Sequence, residues 1–349
     1  MTIESILKDM PFVGTTLAAA NPKIGIQGNT IKIELDLPIG WYQEHLQKDI
    51  TNILQQQDDK RHFDVRIESR ILRHKVGNRL KPYEQIKNII AVASGKGGVG
   101  KSTVAANLAA ALAKGGAKVG LLDADIYGPS IPTLFGVKEK PDSPDGKHLL
   151  PIQRHDVSLM SIGFMMDDDT PVIWRGPMVT QALLQLIGDT AWPELDYLII
   201  DLPPGTGDVQ LTLAQKIPVT GAVVVTTPQE LALADARKAI SMFEKVSIPV
   251  LGIIENMSLF VCPKCMEPSR IFGEGGGETL AKRYNVPFLG ELYLSPNIRE
   301  DADQGTPTVL QRSLSKEAEA FFTVSMKLAM QIAHLPKELS GKLPGVTAE

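Results

Sequence analysis

Ile89-Ile90-Ala91-Val92-Ala93-Ser94-Gly95-Lys96-Gly97-Gly98-Val99-Gly100-Lys101-Ser102-Thr103 is the stretch on which the fold turns. Its first five residues are apolar and β-favouring, and the alanine- and leucine-rich run that follows it to Leu112 reads as a helix. Between them lies a complete G-x-x-x-x-G-K-S octet in the strand, loop, helix setting that the motif requires. Glycines let the backbone curl so that successive amides face phosphate oxygens, and the helix that follows contributes the positive end of its dipole. Gly95, Lys96, Gly97, Gly98, Val99, Gly100, Lys101, Ser102 and Thr103 are therefore the expected phosphate-binding loop. Lys101 is expected to reach the β- and γ-phosphates, and Ser102 to place its hydroxyl on Mg²⁺. A glycine-rich turn that merely packs a strand onto a helix is the alternative, and the full octet argues against it.

Further along, short apolar runs alternate with helical segments: Val119-Gly120-Leu121-Leu122, Leu159-Met160-Ser161-Ile162, Tyr197-Leu198-Ile199-Ile200, Ala222-Val223-Val224-Val225 and Val250-Leu251-Gly252-Ile253-Ile254. That pattern implies an α/β fold, a doubly wound and mostly parallel sheet of the P-loop NTPase kind, with ligands beyond the carboxyl ends of its strands. Two of these runs end in acid, at Asp123-Ala124-Asp125 and at Asp201. A buried strand ending in a carboxylate needs a metal or a cation beside it, because desolvating the charge is costly. Each of these aspartates has helix or turn capping as its plainer alternative.

Residues 1–80 lack a phosphate-type glycine cluster and read as a small α+β domain. Ile24-Gly25-Ile26-Gln27 and Thr30-Ile31-Lys32-Ile33-Glu34-Leu35 flank Gly28-Asn29, a two-residue hairpin signal. A helical stretch over 43–57 and a strand at Phe63-Asp64-Val65-Arg66-Ile67 follow. Residues 74–85 look like connecting chain, with 81–87 as the linker proper, 88–335 as the ATPase domain and 336–349 as a tail. The chain has 349 residues, 43% apolar and 22% charged, which is an ordinary globular composition. A net charge of -4 offers no broad basic surface for a nucleic-acid backbone. With no run near the roughly 20 apolar residues that a membrane span needs and no signal-peptide core, a cytoplasmic protein without membrane or nucleic-acid partners is expected.

Lys96 inside the loop makes the run resemble the deviant Walker A of the MinD and Mrp branch of P-loop ATPases. The stretch Trp192-Pro193-Glu194-Leu195-Asp196-Tyr197-Leu198-Ile199-Ile200-Asp201-Leu202-Pro203-Pro204-Gly205-Thr206-Gly207-Asp208, with Asp123-Ala124-Asp125-Ile126-Tyr127-Gly128-Pro129-Ser130, is similar to the signature of the Mrp/ApbC proteins. Those are iron-sulfur scaffold ATPases, and the resemblance covers most of 88–335. It implies a Mg-ATP-binding homodimer in which Lys96 reaches the partner's nucleotide, much as an arginine finger does. By the same resemblance Asp125 positions the hydrolytic water, Asp201 lies near Mg²⁺, Gly205 senses the γ-phosphate and Asn256 reads adenine. A turn-forming asparagine is the plainer reading of Asn256. The small leading domain resembles one common in this family but lacks the cysteine many of them carry.

The two cysteines, Cys262 and Cys265, enclose Pro263 and Lys264. They stand where Mrp proteins place their cluster ligands. A [4Fe-4S] cluster usually takes four thiolates and one chain supplies two, so a symmetric dimer would complete the set. A bridging zinc, a redox pair and two ordinary cysteines are the alternatives, and Pro268 with the glycines beyond does not resemble a thioredoxin helix. Lys264 between the thiols is expected to favour thiolate. Trp41, Trp174, Trp192, Met160, Phe164, Met165 and Met166 are expected in cores or on a dimer face. The reading that results is an ATPase carrying a [4Fe-4S] cluster to apoproteins in company with cluster-assembly proteins. Its rivals are a MinD-like positioning ATPase, which asks for an amphipathic terminal helix in 315–349, and a metabolic kinase, for which no acceptor site is evident.

Overall fold

The structure, a computed structural model, describes residues 2–58, 61–77, 80–166 and 176–338. Trp174 and residues 339–349 of the expected tail lie outside the described residues.

In the N-terminal module β1 (Lys23–Gln27) pairs antiparallel with β2 (Thr30–Leu35), with Gln27 opposite Thr30 as the hairpin reading requires. Gly28 takes the left-handed φ of +57° that such a tight turn needs. Helix α1 (Gln43–Gln57) buries Leu46, Ile50 and Leu54, one stripe at a spacing of one helical turn. β3 (Asp64–Ser69) then lies parallel to β2.

The large sheet is built from β4 (Ile86–Ala93), β5 (Val119–Asp123), β6 (Ile152–Arg154), β7 (Val157–Ser161), β8 (Leu195–Asp201), β9 (Gly221–Thr226), β10 (Val250–Val261), β11 (Pro268–Ser269) and β12 (Phe288–Leu294). Among the described residues it has nine strands in the order β11-β10-β9-β4-β8-β5-β7-β6, with β12 also pairing β10. Every pairing is parallel except β6 with β7 and β10 with β11. β5, β8 and β9 are buried along their whole length, which is why they read as continuous apolar runs rather than alternations. Helices α2 (Lys101–Lys114), α3 (Gly176–Asp189), α4 (Asp208–Lys216), α5 (Glu230–Lys245), α6 (Gly276–Tyr284) and α7 (Lys316–Ala333) flank it. Register places Asp201 directly opposite both Val92 and Asp123, so the acidic strand ends stand side by side where the phosphate-binding loop begins.

Three details differ from the sequence expectation. β4 starts at Ile86, inside the stretch read as linker. His74 is only 1% exposed, with its backbone N–H and Nδ1 3.2 and 3.1 Å from Asn88 Oδ1, while Lys75 N–H donates to the Pro336 carbonyl at 2.8 Å. Polar residues that look like linker from composition thus have partners in both the sheet and the C-terminal segment. Finally, the third expected strand begins at Val157 and yields at Ile162 to a 3₁₀ turn. Met160, Phe164 and Trp192 are buried, Trp41 packs on Phe322 with ring centroids 4.6 Å apart, and Met165 is exposed.

Candidate nucleotide site and cysteine turn

The phosphate-binding loop is held from several sides. Ser94 Oγ donates to the Lys96 carbonyl at 2.9 Å, and the Gly205 N–H donates to the Ser94 carbonyl at 2.9 Å, which brings Gly205 to the loop. Gly98 and Gly100 have φ of +80° and +81°, a region open at little cost only to glycine. A Cβ on Gly95 would fall 2.1 Å from the Asp235 backbone, so α5 presses on the loop's first glycine. Gly97, Lys101, Ser102, Asp125 and Pro204 are among the residues around a cleft of about 200 Å³. Val99 is buried, Thr103 is half-buried in the first turn of α2, and the Lys96 side chain is exposed.

Charge is concentrated on Lys101, which is 5% exposed. Its Nζ donates to Asp201 Oδ1 at 2.5 Å and to Ser102 Oγ at 3.4 Å, and lies 3.5 Å from Asp125 Oδ2. Asp201 is fully buried; burial raises its pKa, against the opposing pull of the Lys101 ammonium. Its Oδ2 is buried without a hydrogen-bond partner. Asp125 accepts the Tyr127 N–H at 3.2 Å, which turns the chain just beyond β5.

Asp123 has a different role from its neighbours. It accepts from the N–H groups of Asp125 (3.1 Å) and Ile131 (3.0 Å) and from the Ser161 hydroxyl (3.1 Å), so it fixes both ends of the loop that carries Asp125. Burial, and then the neighbouring Asp201 charge, push its pKa up to about 7 from 3.8. Because the folded form binds the proton more tightly, Asp123 stabilises the fold least once ionised. Its contribution to stability is therefore expected to fall as pH rises from about 4 to about 7. Asp123→Asn should flatten that part of the profile, as urea unfolding of the nucleotide-free protein over the same range will read.

Asn256 is brought to the loop from β10. Its Nδ2 donates to the Val99 carbonyl at 2.9 Å, and a Cβ on Gly100 would meet that same Nδ2. Its amine therefore braces the loop, a contact that the adenine expectation did not include. Two further residues escaped the sequence reading. Gln210 holds the 203–205 turn by donating to the Pro204 carbonyl at 2.6 Å, and Glu255, beside Asn256, is a buried carboxylate. Glu255 was marked only as a charged residue closing an apolar strand run, and Gln210, in a helix of mixed composition, by nothing.

Five residues beyond Asn256, β10 pairs with β11, Val261 opposite Pro268, and the cysteines occupy the turn between them. Cys262 N–H donates to the Glu267 carbonyl (3.1 Å) and Met266 N–H to the Cys262 carbonyl (2.9 Å), closing a tight loop. Cys262 is half-buried and Cys265 exposed. The backbone N–H groups of Cys265 and Lys264, and then the Cys265 side chain, hold the Cys262 thiol below its ordinary value. The sequence reading credited the Lys264 charge; its amide is what acts, because the turn aims main-chain donors at the sulfur. No helix opens at this pair, so the geometry is not that of a thioredoxin-like site. Among the described residues no three His, Cys, Asp or Glu side chains are placed to hold a metal ion together.

A parallel sheet with this loop at its carboxyl edge defines a P-loop NTPase. Residues 85–329 match the family model ParA, described as "NUBPL iron-transfer P-loop NTPase", and the chain belongs to that family. It is 50% identical over 313 residues to an iron-sulfur cluster carrier protein of Haemophilus influenzae, covering 89% of this chain and 85% of that one. It is also similar to the structure of a nucleotide-binding protein of Archaeoglobus fulgidus in complex with ADP, with 44% identity, a TM-score of 0.59, and 68% and 93% of the two chains covered. The cell division ATPase MinD of Pyrococcus furiosus is more distant, at 25% identity and a TM-score of 0.52, with 69% and 98% covered.

Proposed function

We propose that the chain is an ATP-dependent iron-sulfur cluster carrier, a homodimer that holds a [4Fe-4S] cluster between its two cysteine turns and passes it to apoproteins. The observation that carries this reading is the Cys262 and Cys265 turn itself. It presents two thiols, one with its thiolate favoured by main-chain donors, and no third ligand is at hand among the described residues. Four thiolates for a cluster then call for a second copy. The similarity to cluster carriers supports the same reading.

In this proposal the loop from Gly95 to Thr103 grips the phosphates of ATP, Lys101 neutralises them and Lys96 reaches the partner's nucleotide. The Ser102 hydroxyl and Asp201, whose buried Oδ2 lacks a partner, suit Mg²⁺, which supplies charge neutralisation at the phosphates when bound. Asp125 orients the attacking water, and Gly205, tied to Ser94, follows the γ-phosphate. Asn256 keeps its expected place beside the adenine while bracing Val99. Asp125→Asn is expected to keep ATP affinity while turnover falls by about 10²-fold or more, measured as phosphate release. Undiminished turnover in that variant removes the assignment.

The proposed division is a module of 1–80, a linker of 81–85 and an ATPase domain that begins with β4 at Ile86 and runs to 335. Cytoplasmic residence is part of the proposal; no helix among the described residues is long and apolar enough to cross a membrane. A MinD-like anchoring role is disfavoured by α7, whose Phe321, Phe322, Leu328 and Ile332 are buried within the fold and so not free to enter a lipid surface. The test is anaerobic reconstitution of the wild type, with iron, sulfide and zinc counted per dimer and transfer to an apoprotein followed with and without ATP. Zinc in place of iron, or a chain that stays monomeric with nucleotide and metal supplied, overturns the proposal.

A further inference from the structure

One carboxylate ties the strand that leads out to the cysteine turn to the helix that follows the hairpin. Glu255 is fully buried. Its Oε1 accepts the Ser258 hydroxyl at 2.6 Å, on the strand leading out to Cys262, and its Oε2 accepts the Gly277 N–H at 2.5 Å, in the first turn of α6, beyond the returning strand β11. Contact is close as well, since a Cβ on Gly277 would lie 3.0 Å from the Glu255 Cβ. Directly after the returning strand, Arg270 Nη1 lies 3.1 Å from both carboxylate oxygens of Glu291, so this leg is anchored to β12.

The residues next to Glu255 face the phosphate-binding loop. Asn256 donates to the Val99 carbonyl, and the Met257 side chain approaches Gly100, with its Cε 3.6 Å from where a Cβ there would lie. Met257 has a φ of +57°, a left-handed conformation that a residue with a long side chain adopts only when its surroundings impose it. Here β10 advances from Glu255 to Leu259 while β12 advances only from Glu291 to Tyr293, so the strand bulges. The bulge is gripped by the P-loop on one side and by the start of α6 on the other.

We propose that the bulge at residues 255–258, with Glu255 as its positioning residue, is the joint through which the nucleotide state of the P-loop resets the cysteine turn. The inference rests on the carrier reading and adds the route by which ATP regulates it. Movement of Val99 or Gly100 on nucleotide binding displaces Asn256, and Glu255 carries Ser258 and Gly277 with it. Contacts run from the loop to Asn256 and Glu255, and the outgoing strand carries on from Ser258 to Cys262.

Two variants of the full chain test this. Ser258→Ala releases the outgoing leg. Glu255→Gln turns an amide N–H₂ or a lone carbonyl toward two donors and so releases one of them. Hydrogen exchange of residues 259–271 is measured on metal-free protein with and without a non-hydrolysable ATP analogue, at saturating nucleotide. Iron release to a chelator is measured on reconstituted dimer under the same conditions. In the wild type, nucleotide is expected to change both rates by roughly 5-fold or more, and Ser258→Ala and Glu255→Gln should lose most of that response while still binding the analogue. A full response in both variants, or a wild-type hairpin indifferent to nucleotide, overturns the joint. If the hairpin responds but the wild type takes up no cluster, the joint stands and the carrier reading falls.

Discussion

Lys101→Ala is expected to lower both stability and turnover, and the two losses have separable causes. Lys101 and Asp201 are buried together at 2.5 Å, and among the described residues Asp201 has no other cation as near. Removing one partner of a buried pair leaves the other desolvated and uncompensated, at a cost of about 3–5 kcal/mol. The Asp201 pKa, already raised by burial, loses the ammonium that opposes the rise. Protonation then relieves the penalty, so the variant should be least stable relative to wild type at neutral pH and recover as pH falls. Turnover is expected to fall for another reason: the charge proposed to meet the phosphates is gone, at a cost of about 10²-fold or more. Adding Asp201→Asn to Lys101→Ala removes the stranded charge and should restore most of the stability but none of the hydrolysis. Urea unfolding and phosphate release on the single and double variants decide it. A single variant as stable as wild type at neutral pH would show that the pair does not hold the site together.

That pair also shows where sequence reading reaches and where it stops. The octet from Gly95 to Ser102 stands between a strand and a helix as the phosphate-binding motif requires, and buried strands such as β9 announce themselves by unbroken apolar runs, so the sheet and loop were legible. The partner of each polar group was not. Asp123, at a strand end, reads as a carboxylate in need of a metal or cation, yet three donors from the following loop and from β7 make it a brace. Glu255 carries no motif; its importance comes from Ser258 and Gly277 converging on it across a hairpin. β12 was missed because Gly290, at φ +148°, interrupts its apolar pattern and its burial does not alternate. His74 and its neighbours read as linker because composition cannot show that Asn88 and Pro336 are waiting for them. Local pattern fixes elements; long-range hydrogen bonds fix what their ends do.

Cys262→Ala is expected to abolish cluster retention, and the size of the loss follows from symmetry. In a homodimer each substitution is made twice, so two of four thiolates vanish at once, and the pair that remains, Cys265 from each copy, is the more exposed one. Cys262 is also the sulfur whose thiolate is favoured by the Lys264 and Cys265 amides, so its removal takes away the better-prepared ligand. Cys265→Ala should be a lesser lesion in one respect: the turn closed by Cys262 and Met266 main-chain groups persists and still aims amides at the remaining sulfur. Visible absorption, with iron and sulfide counted per dimer after anaerobic reconstitution, should fall to background for Cys262→Ala and leave a labile residue for Cys265→Ala. Nucleotide binding should be retained in both, because neither sulfur belongs to the phosphate-binding loop. A cluster that persists undiminished in Cys262→Ala would place the cargo elsewhere, and the strand from Asn256 to the turn would then have no role in holding it.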